Sequence, residues 1–160
     1  MRRMKRWVAI VTALAALCVM LGAVGCSSGE NEAQPTASAG EVADRLKNGI
    51  TFVDQMSEVD LTVALTQYSI DEQDVAQGKV YMSTGATAEE IAVLDATSDE
   101  AAQRIYEALQ KRVERQREDF EDYVPAELQK LEDPVLEKNG VQVVLCISDD
   151  NEAAQALLQG

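Results

Sequence analysis

The residue type that most limits the chemistry of this chain is the one it lacks, for there is no His among its 160 residues. That excludes His-activated nucleophiles, His-containing zinc sites and imidazole proton shuttles. Of the three cysteines, Cys146 stands inside the apolar run Val143-Val144-Leu145-Cys146-Ile147 with no imidazole to deprotonate it, and reads as a core residue. Carboxylates gather at Asp71/Glu72/Asp74, at Glu118/Asp119/Glu121/Asp122 and at Asp149/Asp150/Glu152. None has the spacing of a calcium loop, and helix caps and solvated faces account for them. No Walker, Gly-x-Ser-x-Gly or Ser-x-x-Lys pattern occurs, and no metal or cofactor is expected. Two stretches could do something more. The small, hydroxyl-rich run with Thr84, Gly85, Thr87, Glu89 and Glu90 could line a ligand site, its alternative being a plain hairpin loop. Lys111, Arg112, Arg115 and Arg117 could form a docking face for an acidic partner or lipid headgroup. The alternative is an ordinary charged helix with Glu107–Lys111 and Arg117–Glu121 pairs at i, i+4.

The third candidate is Cys26. Arg2, Arg3, Lys5 and Arg6 precede an apolar run from Trp7 to Val24, and Gly22, Ala23 and Gly25 crowd the approach to the Cys. This is the plan of a secretory signal peptide, and Leu21 to Cys26 resembles the lipobox of bacterial lipoproteins. The resemblance implies a thiol acylated with diacylglycerol and cleavage before Cys26, giving a 1–25 signal and a lipid anchor at the outer face of the cytoplasmic membrane. Cys18 is the rival site, but Leu17 before it is too large. The run is also long enough to be an uncut membrane span.

The chain carries 14 Lys and Arg against 28 Asp and Glu, a net charge of −14. Four of those cations lie in the signal, so the processed chain would stand at −18. Such a charge argues against nucleic acid as a partner, since phosphates demand clustered cations. Residues 26–40 contain no apolar side chain larger than Ala after Cys26 and read as a flexible tether spanning about 20 Å.

Residues 41–160 read as one domain. Ser38 and Glu41 form a capping box for a helix bearing Val42 and Leu46 and stopped by Gly49, and a second helix fits Asp60 to Tyr68. A further turn or two is expected from Asp71 to Gln77. Lys79–Ser83 and Glu90–Ala96 alternate as strands of a hairpin. Thr97 with Glu100 opens the strongest helix, whose steps Ala102, Ile105, Leu109, Val113, Gln116, Phe120 and Tyr123 run on almost to Pro125. A short helix, Ala126 to Leu131, precedes a second hairpin of Val135–Lys138 and Val141–Ile147, turned by Asn139-Gly140. Asp149 with Glu152 caps a last helix. The order implies an α+β fold with an antiparallel sheet of about four strands, in two hairpins, and helices mainly on one face.

The segment Val80 to Val93, the long helix with Arg112 and Gln116 leading into Tyr123-Val124-Pro125, then Asn139-Gly140-Val141 and Ser148-Asp149-Asp150, together with the Cys-terminated signal, resemble small lipoproteins of Gram-positive bacteria known as domain of unknown function 4358. The resemblance implies a surface lipoprotein and brings no activity, cofactor or catalytic residue. Gln142 stands where an aromatic is expected in relatives. The expectation is a membrane-anchored module that binds an envelope protein or a small-molecule ligand. The alternative class is an envelope enzyme using carboxylates, for example on glycan.

Overall fold

The computed structural model describes residues 37–159. Cys18, Cys26, the 1–25 signal and the tether up to residue 36 lie outside them. Five helices, α1 (Ala39–Gly49), α2 (Leu61–Tyr68), α3 (Asp99–Glu121), α4 (Leu128–Glu132) and α5 (Asn151–Gln159), accompany five strands. These are β1 (Ser57–Val59), β2 (Val75–Met82), β3 (Glu90–Ala96), β4 (Val135–Asn139) and β5 (Gln142–Ile147). Every pairing is antiparallel, in the order β1-β2-β3-β5-β4, so the two most apolar strands lie inside the sheet. Every residue of β3 and β5 is buried.

Alternation along these strands feeds two cores. On one face Val80, Ala92, Leu94, Val143, Leu145 and Ile147 meet the stripe Ala102, Ile105, Leu109 and Val113 of α3 and Ala64, Leu65 and Tyr68 of α2. On the other, Tyr81, Ile91, Val93, Val144 and Cys146 lie under Val42, Ala43 and Leu46 of α1 and Ala154 of α5. The α+β class stands, with a fifth strand and with a smaller second helical layer that the expectation of helices mainly on one face left out. Cys146 is fully buried, and that burial pushes its thiol up to about 12.

Local differences have local causes. Val75–Gln77 continues β2 because only Glu72–Asp74 forms a turn, a 3-10 one capped by Asp71. Ser98 rather than Thr97 caps α3, its hydroxyl accepting from Ala101 N–H, while Thr97 Oγ1 donates to the Gln73 carbonyl. Asp150 rather than Asp149 accepts from Ala153 N–H at the start of α5. In the second hairpin Asn139 pairs with Gln142, so the two-residue loop is Gly140-Val141. Gly140 takes φ 56° at its first position, which a tight hairpin requires and a Cβ disfavours. The capping box at Ser38 and Glu41 is as expected, and Asp60, read as the first residue of the second helix, instead caps α2 by accepting from Thr62 N–H and Val63 N–H.

Candidate functional site

Glu90 opens β3 on the α3 face, where the next residues in that row are Ala92 and Leu94. A carboxylate there needs partners, and α3 supplies two from one stripe at i, i+4 spacing. Arg112 Nη2 and Gln116 Nε2 each donate to Glu90 Oε2 at 2.8 Å, and Arg112 Nε donates to the same oxygen at 3.2 Å. The Glu90 side chain is 2 % exposed and that of Arg112 13 %. Burial is the largest single influence on Arg112 and would lower its pKa, but the Glu90 charge and hydrogen bonds, with smaller contributions from Tyr68 and Asp119, together outweigh it and the pKa rises. Tyr68 lies against the same carboxylate. Burial first, and then the Glu90 charge, push its phenol well above the usual range, although its hydroxyl meets no partner at hydrogen-bonding geometry. A carboxylate can only accept, so the Gln116 amide must turn Nε2 toward Glu90. Its Oε1 is left buried without a donor.

The loop from Ser83 to Glu89 forms the rim. It closes on itself through Ser83 N–H to the Glu89 carbonyl at 3.1 Å and Ser83 Oγ to the Thr87 carbonyl at 2.7 Å, and Gly85 N–H donates back to Ser83 Oγ at 3.3 Å. Asp54 pins it from outside, accepting from Thr84 N–H at 2.9 Å and from Thr84 Oγ1. Those two bonds hold the Asp54 carboxyl below the usual carboxylate range. Glu89, fully buried, accepts from Val53 N–H and Asp54 N–H at 2.9 Å and from Thr87 Oγ1 at 3.0 Å. Its charge meets Lys130 at 3.3 Å. Lys130 also pairs with Glu127 at 3.0 Å, and Glu127 in turn accepts from Ala88 N–H at 2.9 Å. The loop is therefore prebuilt, held by α4 and by the segment before β1.

Between this rim and the second half of α3 lies a cleft of about 360 Å³, with Glu90, Arg112 and Gln116 in its wall and Asp119, Phe120 and Tyr123 along the helix side. Thr84, Gly85, Thr87, Glu89 and Glu90 all line it, and so does Arg112. The two stretches that the sequence singles out separately thus converge here through one member of the second. The other cations go elsewhere. Arg115 donates to the Gln67 carbonyl, Arg117 to the carbonyls of Leu131 and Glu132, and Arg104 chelates Asp74, while Lys111 is exposed. Among the described residues neither Glu107–Lys111 nor Arg117–Glu121 forms an ion pair, and the cations make no single outward patch. Asp54, Tyr68, Gln116 and Lys130 complete the site, and the sequence singles out none of them as a site residue. A Gln in the apolar stripe of α3 is the one signal that could have found a member of this group.

Among the described residues no group of His, Cys, Asp or Glu is arranged to hold a metal ion, and no helix is long and apolar enough to cross a membrane. No curated protein and no solved structure matches the chain. The family model for Domain of unknown function (DUF4358) matches residues 51–148, from just before β1 to just after β5, so that the cleft's floor and rim lie within the match and α1 and α5 outside it. That span is more than half of the chain, and the chain belongs to this family.

Proposed function

We propose that this chain is a lipid-anchored, extracytoplasmic binding module whose ligand sits in the cleft between the Ser83–Glu89 loop and α3. The observation that carries the reading is the Glu90–Arg112–Gln116 floor beneath a rim already fixed by Asp54, Glu89 and Lys130. A buried ion pair adds little stability over well-packed apolar residues, so its retention at the bottom of an open cleft fits a site better than a core. Prefixed loops on a rigid sheet are also the usual place for recognition. Glu90 is fully engaged in holding the floor together, and no observation favours a carboxylate-based enzyme over binding. Anchoring rests on the Cys26 signal alone.

The test is to purify the protein from native membranes and identify the small molecules that accompany it by mass spectrometry. A species carried by the wild type and lost from Tyr123→Ala and Thr84→Trp supports the reading; identical profiles refute it. For the anchor, Cys26→Ala should abolish lipid labelling and processing while Cys18→Ala leaves both intact. Acylated protein beginning at residue 18 would refute the assignment.

A further inference from the structure

We infer that the cleft takes a small organic cation, a primary ammonium group on a short aliphatic body; this rests on the cleft-binding reading above. The first argument is the local charge balance. Glu90 is paired with Arg112, while Glu89 shares the single charge of Lys130 with Glu127 and Asp149. Asp119, two helical turns beyond Arg112 on the same side of α3, is exposed at the rim and forms no ion pair among the described residues, so the cleft's lining carries three carboxylates, Glu89, Glu90 and Asp119, against the one cation Arg112. The second is independent of charge. Gln116 is 3 % exposed, lines the cleft and keeps a buried acceptor, Oε1, that no protein donor reaches, an open hydrogen-bonding position in the wall that a donor can fill. The third is Tyr123, 71 % exposed, which lines the cleft at its helix side with its ring centroid 6.4 Å from that of Phe120 and is of the aromatic type that attracts ammonium groups. An anion would meet the unpaired Asp119, and a neutral polyol would leave Asp119 without a counter-charge as water is displaced. The chain's net charge of −14 steers cations toward it in the same sense.

Three probes of matched length separate these chemistries: pentane-1,5-diamine, pentane-1,5-diol and glutarate. Each is titrated into the full-length ¹⁵N-labelled protein in detergent micelles. The diamine should shift the Gly85 and Thr87 amides and the Gln116 side-chain amide saturably. Asp119→Asn should raise its Kd about tenfold and Tyr123→Ala about threefold, both being exposed positions whose variants fold. The diol and glutarate should leave those signals in place. Shifts by the diol or glutarate without the diamine would overturn the ammonium inference and leave the cleft as a binding site. Diamine shifts scattered over the acidic surface and unchanged in both variants, or no shift by any probe, would overturn the inference as well.

Discussion

Glu90 and Arg112 are paired at 2.8 Å across the junction of the central strand and the longest helix, with both side chains largely withdrawn from water. Removing one partner of such a pair strands the other charge. Arg112→Met is therefore expected to cost about 3–5 kcal/mol, whereas Glu90→Leu combined with Arg112→Met should recover at least half of that loss. Urea unfolding of the two variants checks it. A double variant no more stable than Arg112→Met alone would show that the stranded charge is not what the single variant loses.

Asp54 makes the rim sensitive to acid. Its folded pKa is depressed by the Thr84 hydroxyl and amide, so its contribution to loop order is present above the unfolded carboxylate pKa of about 3.9 and is lost as pH falls through the lower folded value. An NMR titration from neutral pH downward should find the Thr84 amide moving with a midpoint below about 3.9. In Asp54→Asn that transition should vanish. A midpoint at the ordinary carboxylate value would show that the two bonds do not persist in solution.

Cys146 should be chemically silent. With its thiol pushed up to about 12 by burial between β3 and β4, iodoacetamide at a pH of about 8 should leave it unmodified in the folded protein and label it once urea unfolds the chain. Labelling at the same rate in both states would place the thiol in solvent.

Gly78 lies under α2. A Cβ added there would stand 2.5 Å from Leu94 Cδ2 and 3.2 Å from the Val93 carbonyl oxygen, and backbone cannot step aside as a side-chain tip can. Gly78→Ala should cost about 1–3 kcal/mol through overpacking. Gly40→Ala, where the nearest atom is 4.0 Å away, is the control and should be neutral or slightly stabilising. Equal melting temperatures for both variants would contradict the close approach.

Much of the fold is readable where local chemistry and burial agree. The capping box of Ser38 and Glu41, the Asp60 cap and the apolar stripe of α3 are local signals, and β5 announces its interior place by apolar residues on both faces. Val75–Gln77 reads as part of a helical turn because the Asp71 cap and Gly78 bracket it, while its strand character comes from pairing with β3. β1, three largely exposed residues, has no alternation to detect and exists through its register with Val80 to Met82. The site divides in the same way. The hydroxyl-rich loop stands out by composition and Arg112 by charge, but only the crossing of α3 over β3 makes them one cleft. Asp54, 30 residues away in sequence from Thr84, gives no hint of being its latch. Gln142, unusual as a sequence feature, ties the start of the domain to the sheet, its Nε2 donating to Asp95 at 2.8 Å and to the Ala37 carbonyl at 3.1 Å.

That last contact has a mechanical meaning. Ala37 is gripped by Gln142 of β5, and Ala39 N–H donates to Asp95 of β3 at 3.2 Å, so the incoming chain is fastened to two of the three inner strands. Tension applied from the N-terminal side is thus delivered to the middle of the sheet, where strands must slide past one another to yield, and not to the short edge strand β1, which would peel away one hydrogen bond at a time.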